Sequence, residues 1–215
     1  MAQPNITVVP VTLFQQNCAI LWNPDTARGA VCDPGGDVGI ILQAVAKANI
    51  TIEQILLTHG HLDHAGGAAE LKAALKLPII GPQRADQFLL DTLAEAGQRY
   101  GVAGMRPCTP DRWLEHGDTV ETCGFSFEIL HCPGHSPGSV VWFNREHRFC
   151  LMGDVLFQGS IGRTDLPGGD HATLLASIRD LVLPLGDDVA FLPGHGPAST
   201  LGQERKSNPF LIGQS

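Results

Sequence analysis

Three histidines and an aspartate fall within six residues in the run Thr58-His59-Gly60-His61-Leu62-Asp63-His64. Neutral imidazole nitrogen and carboxylate oxygen are good ligands for zinc-like ions, so the chemistry to expect here is that of a bound metal. The bland alternative is a surface histidine cluster, but a chain with nine histidines would rarely crowd three of them beside an aspartate by chance. Three further candidates lie far along the chain, each in a Gly- or Pro-bearing turn: Cys132-Pro133-Gly134-His135, Met152-Gly153-Asp154 and Pro193-Gly194-His195-Gly196. Glycine lets the backbone pass close to an ion. Together the four segments offer His59, His61, Asp63, His64, His135, Asp154 and His195, more ligands than one tetrahedral ion takes.

Such a site needs elements that carry four distant loops to one place. The opening third alternates short β-rich runs (ITVVPVTLF, NCAILWN, GAVCDPGG) with turn residues and then meets the helical pattern DVGIILQAVAKA. A strand EQILLT runs straight into the histidine cluster, and the apolar-periodic AGGAAELKAALK follows at once. The cluster therefore sits where a strand ends and a helix starts, a place ligand sites favour in α/β folds. After LPII the pattern predicts a helix from about Gln83 to Ala96, and then the connection RYGVAGMRPCTPDRW. The second half repeats the plan with strands TVE, FSFEILH, SVVWF and RFCLM, a loop FQGSIGRTDLPGGDH, a helix TLLASIRDLVLPL and a last strand DDVAFLP. His135, Asp154 and His195 each follow one of these strands, so strand ends at one rim of a sheet core can bring them together. The repetition is architectural, with no strong sequence repeat, and a two-layer sheet core with helices outside is expected.

The string THGHLDH followed by PGHSPG, GD and GHG resembles the metallo-β-lactamase superfamily and, within it, the glyoxalase II-like hydrolases, over essentially the whole chain. The resemblance implies an α/β fold, a four-layer αββα sandwich of two similar halves with the metals at one rim. It implies two divalent ions per chain, zinc first with iron or manganese as alternatives. The first would take His59, His61 and His135, and the second Asp63, His64 and His195. Asp154 matches the aspartate that bridges both; enzymes that open β-lactam rings usually carry cysteine there. One anionic carboxylate between two cations relieves their repulsion, and two ions roughly 3.5–4 Å apart lower the pKa of a bridging water toward about 7, which makes hydroxide the nucleophile. Asp63 and Asp154 are the catalytic carboxylates on this reading, Asp63 as ligand first and proton acceptor second.

Around these lie weaker candidates. Asp33, in Cys32-Asp33-Pro34, resembles the aspartate that hydrogen-bonds behind the metal loop and orients ligand imidazoles; a turn-forming aspartate before proline is the other reading. Arg163, in Gly162-Arg163-Thr164-Asp165, resembles a segment beside the site and would bind a substrate carboxylate or pair with Asp165. Thr58 is expected to end its strand with a hydroxyl-to-backbone bond, and Ser136 to cap or turn the chain. Of the remaining histidines only His171 is expected within reach of the site; His116, His131 and His147 lack motif contexts. The tail Glu204-Arg205-Lys206-Ser207-Asn208-Pro209-Phe210-Leu211 resembles the ending of short bacterial glyoxalase II-like proteins. Longer relatives grip glutathione with a C-terminal helical domain bearing basic and tyrosine residues. Here about twenty residues follow His195 and Tyr100 is the one tyrosine, leaving Arg205 and Lys206 as possible substitutes.

The resemblance implies a thioester hydrolase that converts S-D-lactoylglutathione to D-lactate and glutathione. The alternatives are persulfide dioxygenation on a single iron, or lactone or phosphodiester hydrolysis on the same metal pair. A structural metal module is disfavoured, because structural zinc sites close their coordination shell and favour cysteine. Composition narrows the partners. With 22 acidic against 14 basic residues, a net charge of -8 and no Lys- or Arg-rich run, binding to a nucleic-acid backbone is not expected. No apolar run approaches the ~20 residues that span a bilayer and the N-terminus has no signal pattern, so a cytoplasmic protein of one domain spanning 1–215 is expected, without membrane partners. The six cysteines form no Cys-x-x-Cys pair and read mostly as small buried hydrophobes.

Overall fold

The computed structural model describes residues 3–212. Strands β1 (Asn5–Val11), β2 (Gln16–Asn23) and β3 (Arg28–Cys32) lead into helix α1 (Val38–Ala48), and β4 (Thr51–Leu56) is followed by α2 (Leu62–Ala65), α3 (Ala68–Leu75) and β5 (Ile79–Ile80). These strands make one five-stranded sheet in chain order, antiparallel from β1 to β3 and parallel from β3 to β5. Helices α4 (Gln87–Asp91) and α5 (Leu93–Tyr100) come next.

The second half holds β6 (Thr119–Thr122), β7 (Phe125–His131), β8 (Val140–Asn144) and β9 (Phe149–Gly153), then a two-stranded hairpin of β10 (Leu156–Phe157) and β11 (Ser160–Ile161). Helix α6 (His171–Ser177), β12 (Ala190–Pro193), β13 (Ser199–Thr200) and α7 (Leu201–Ser207) complete it. The larger sheet runs β13-β12-β9-β8-β7-β6, with β12 parallel to β9 and the other neighbours antiparallel.

Side chains on one strand point alternately to opposite faces, and here both faces are buried. On β2, Cys18 and Ile20 pack with the Val38, Ile41 and Val45 stripe of α1, while Ala19 and Leu21 pack against Phe125, Phe127 and Trp142 of the other sheet. On β8, Val140 and Trp142 face the first sheet, and Val141 and Phe143 face Leu174 and Ile178 on the far side. That arrangement is helix, sheet, sheet, helix, the αββα sandwich anticipated above. No helix among the described residues is long and apolar enough to cross a membrane. All six cysteines are buried and unpaired.

Three elements differ from the sequence pattern. The helix expected from Gln83 to Ala96 is a 3-10 turn at Arg84–Asp86 followed by α4 and α5. It breaks at Thr92, whose hydroxyl donates to the carbonyls of Phe88 (2.8 Å) and Leu89 (3.2 Å) and so competes with the helical ladder. The long second-half helix stops at Ser177 and passes through a wider turn at Ile178–Val182, before Pro184, which has no N–H to continue the ladder. The expected loop beginning at Phe157 instead opens within the β10–β11 hairpin, whose two-residue strands are too short to show a period.

Candidate metal centre

Strands β7, β9 and β12 run in the same direction in the larger sheet, and their ends, with the end of β4, meet at one rim. The turn after β12 is tied to the turn after β9 by Gly194 N–H donating to the Gly153 carbonyl (2.8 Å). Asn17 of β2 fixes it from the other sheet: its backbone N–H donates to the Gly194 carbonyl and its side-chain amide to the carbonyls of Pro193 (3.0 Å) and Gly196 (2.8 Å).

The seven residues read from the motifs converge there in three overlapping groups. His59, His61 and His135 form one, Asp63, His64 and His195 a second, and Asp154 joins His59 and His64 in a third. In the first, His135 Nε2 lies 3.2 Å from His59 Nε2 and 2.9 Å from His61 Nδ1. In the second, His195 Nε2 lies 3.1 Å from Asp63 Oδ2. Asp154 stands between them, with one oxygen 3.3 Å from His64 Nε2 and the other 3.6 Å from His135 Nε2 and 3.7 Å from His195 Nε2.

Hydrogen bonds behind these residues decide which nitrogen of each ring is free. Asp33 accepts from the Thr58 backbone N–H (2.8 Å), from the Thr58 hydroxyl (2.6 Å) and from His64 Nδ1 (2.9 Å). The Thr58 hydroxyl, having donated its proton to Asp33, accepts from His59 Nδ1 (3.1 Å). His135 Nδ1 donates to the Arg163 carbonyl (2.8 Å). With those protons placed outward, the Nε2 lone pairs of His59, His64 and His135 all turn inward. The Thr58 hydroxyl thus bonds a carboxylate and a ring, not the backbone as the sequence suggested.

Burial drives His59 well below its ordinary pKa, and His64 and His135 push the same way. Burial, then His135, brings His61 down to about 3. Burial alone would raise Asp63 and Asp154, but the surrounding imidazoles, His64 foremost, hold both carboxyls below their ordinary value. His64 is the opposite case: burial lowers it, yet Asp154, Asp63 and Asp33 outweigh that and raise it. The donor set fits a divalent ion. Ring nitrogens 2.9–3.2 Å apart, with His59 and His61 both resisting protonation, call for a cation between them, and His61 Nε2, His64 Nε2 and Asp154 Oδ1 are buried with no hydrogen-bond partner. The space is kept open at Gly194, where a Cβ would fall 2.1 Å from Asp154 Oδ1 and 2.4 Å from His64 Cε1.

A cavity of about 390 Å³ opens over the cluster, with His61, Asp63, His135, Asp154 and His195 at its floor. Its wall is mostly apolar: Phe14, Leu62, Tyr100, Phe157, Ile161 and Leu166. Arg163 also lines it, but its guanidinium makes a two-pronged pair with Asp165 (2.8 and 2.7 Å), and both side chains are exposed. Asp165 and His171 are not among the lining residues. His171 opens α6 and is exposed, because the preceding Asp170 caps that helix and directs its first residue outward. Arg205 and Lys206 do not reach the cavity either; Arg205 bonds Asp187 and the Leu183 carbonyl on the other side of α7.

Asp86 was not legible in the sequence. It is fully buried and accepts from Gly60 N–H (2.7 Å), Gly138 N–H (2.6 Å) and the Ser136 hydroxyl (2.8 Å). It therefore ties the loop carrying His59 and His61 to the loop carrying His135. A Cβ on Gly162 would fall 1.9 Å from the Asp154 carbonyl oxygen, so the segment before Arg163 packs directly on a donor residue.

The model described as the metallo-beta-lactamase superfamily matches residues 11–195. Hydroxyacylglutathione hydrolase GloC of Haemophilus influenzae is 46% identical over 212 residues, 98% of this chain and 100% of the relative. The crystal structure of TTHA1623 in a di-iron-bound form gives a TM-score of 0.86 at 38% identity, covering 95% of this chain and 100% of that one. BLEG-1 B3 metallo-beta-lactamase gives 0.87 at 37%, covering 97% and 100%.

Proposed function

Because the chain belongs to the metallo-beta-lactamase superfamily, we propose that it is a cytoplasmic, metal-dependent thioester hydrolase of the hydroxyacylglutathione hydrolase type, cleaving S-D-lactoylglutathione to D-lactate and glutathione. The observation that carries this reading is the pair of donor triads with Asp154 between them at the floor of an apolar-walled cavity. His59, His61 and His135 would hold one ion, Asp63, His64 and His195 the other, and Asp154 both. Zinc is the expected ion, with iron and manganese compatible with the same donors; the relative solved in a di-iron-bound form supports a two-ion site. When bound, the ions supply Lewis-acid polarisation of the thioester carbonyl and a water of lowered pKa.

The chain's own residues do the rest. Asp63, held ionised and 3.1 Å from His195 Nε2, would serve first as a ligand and second as the acceptor of the attacking water's proton. Leu62, Phe157, Ile161 and Leu166 exclude bulk water from the thioester, which strengthens every electrostatic contact on the floor. Water adds at the carbonyl carbon, the carbon–sulfur bond breaks, and the sulfur leaves as the thiol of glutathione.

Metal analysis of purified protein, paired with hydrolysis of S-D-lactoylglutathione before and after chelator stripping and remetallation, tests the proposal. About two ions per chain and restorable hydrolysis are expected. One iron, no hydrolysis and persulfide-dependent oxygen uptake would replace it with the dioxygenase reading.

A further inference from the structure

Helix α7 carries the tail motif, yet its basic residues turn away from the cavity. What α7 does present inward is a carboxylate. Glu204 is fully buried, and among the described residues no lysine or arginine pairs with it. One carboxylate oxygen accepts from Gly159 N–H (2.7 Å) and from the Asn208 amide (2.9 Å), the other from the Ser199 hydroxyl (2.5 Å). Asn208, also fully buried, donates the same amide group to the carbonyls of Ser160 (3.0 Å) and Phe157 (3.4 Å). Gly159 is the turn of the β10–β11 hairpin, and Phe157 and Ser160 flank it. Apart from the Glu204–Asn208 bond, the inward side-chain contacts of these two residues therefore land on this hairpin or on Ser199 of β13.

The hairpin is a wall of the site. Phe157, Ser160 and Ile161 line the cavity, and the Phe157 ring lies 6.3 Å from the ring of His195. Its strands are two residues each and pair only with one another; Leu156 and Ile161 anchor its base in the apolar core, but no main-sheet strand among the described residues hydrogen-bonds to its backbone. An isolated two-residue ladder has little stability of its own.

We infer that Glu204 and Asn208 are positioning residues: α7 is a strut that fixes the Phe157–Ile161 wall against the floor and thereby sets how tightly the thioester is held, in place of a direct grip by the tail. The strut itself does not depend on which substrate the cavity takes; its effect on KM rests on the thioester reading.

The test compares wild type with Asn208→Ala, Glu204→Gln and the exposed control Lys206→Ala, all metal-loaded. The two strut variants should retain wild-type metal content. Backbone hydrogen exchange in a peptide covering residues 156–161 should speed up by about tenfold or more, as loss of a buried hydrogen bond worth about 1.4 kcal/mol requires. With S-D-lactoylglutathione, KM should rise several-fold while kcat changes by less than about twofold, the split expected when ground-state and transition-state binding are weakened alike. Should Glu204→Gln fail to fold, Asn208→Ala, which leaves the carboxylate its two other donors, carries the comparison. Unchanged exchange at 156–161 overturns the strut even if Tm falls, and faster exchange with an unchanged KM overturns its role in binding. If wild type does not hydrolyse the thioester, the functional proposal fails while exchange still decides the strut.

Discussion

Replacing Asp86 with alanine should loosen one donor triad more than the other. The substitution strips the acceptor from Gly60 N–H, Gly138 N–H and the Ser136 hydroxyl at once. The hydroxyl can turn to Ser139 Oγ, already 2.7 Å away, so two backbone donors are left unsatisfied in a buried place. At about 1–3 kcal/mol for each such group, the gross loss is about 2–6 kcal/mol. Against this stands relief of the burial that pushes the Asp86 carboxyl up, and a water entering the vacated space; the lowest quarter of that range, about 2–3 kcal/mol, is the expected net. For a chain of this size that lowers Tm by roughly 4–12 °C. Gly60 lies between His59 and His61, and Gly138 follows His135 by three residues, so the relaxation falls on the all-histidine triad. Loss of such an outer partner typically costs 10–100-fold in metal affinity. Calorimetry on the metal-free protein reads the first effect. Stepwise cobalt titration followed by d–d absorption, with a competing chelator, reads the second, and the site built on Asp63, His64 and His195 should load as in wild type. Asp86→Asn, which keeps the volume but turns an amide toward donors, should behave nearly as badly. A Tm within about 1 °C of wild type together with equal weakening of both sites would refute the reasoning.

Three other outcomes follow from the same geometry. His61→Ala and Asp154→Ala should each lower metal content and cut turnover by orders of magnitude while the far-ultraviolet circular dichroism stays native; wild-type turnover in a metal-depleted variant would overturn the donor assignment. Gly194→Ala places a methyl 2.1 Å from Asp154 Oδ1 and 2.4 Å from His64 Cε1, so both side chains must move by about 1 Å or more to reach ordinary contact, and metal content should fall although no donor has been removed. In the metal-free protein His59 and His61 stay neutral when folded but take up protons below about pH 6.5 when unfolded. The unfolded state then binds more protons, so stability should fall as pH drops from about 6.5 toward 4, by up to about 1.4 kcal/mol per pH unit for each ring. His64 and His195, raised when folded, act above that window; a flat urea midpoint between pH 6.5 and 4.5 would contradict the prediction.

What could be read from the sequence and what could not separate along a physical line. The donors were legible because coordination demands particular residue types in particular turns: three imidazoles and a carboxylate around one strand end, and a histidine or aspartate beside glycine at three others. The sandwich was legible from the repeated order of strand and helix patterns and from the family resemblance of the motifs, and the structure shows why it is needed, since β2 and β8 bury apolar side chains on both faces. Asp86 was invisible because its partners lie 26 to 52 residues away, and an aspartate before an apolar run reads as an ordinary helix start. Asn17 was hidden in the same way, its contacts being with backbone carbonyls more than 170 residues distant. Arg163 was noticed for its charge, yet what the site uses is its carbonyl, which any residue has.

The acids that the fold conceals make the same point from the side of energy. Among the described residues four carboxylates are buried, Asp33, Asp86, Asp154 and Glu204, and no lysine or arginine is. Moving a carboxylate out of water costs several kcal/mol unless hydrogen bonds replace its hydration, so a fold selected for stability alone would place apolar groups there. All four instead stand in or behind the cavity. Asp154 lies between the two triads, Asp33 holds His64 directly and His59 through Thr58, Asp86 joins two donor loops, and Glu204 holds the wall beside His195. The three outer acids each satisfy donors from separate parts of the chain, which makes each a junction that fixes relative position. The molecule thus concentrates its buried acids where metal donors and a substrate wall must be held to a fraction of an ångström.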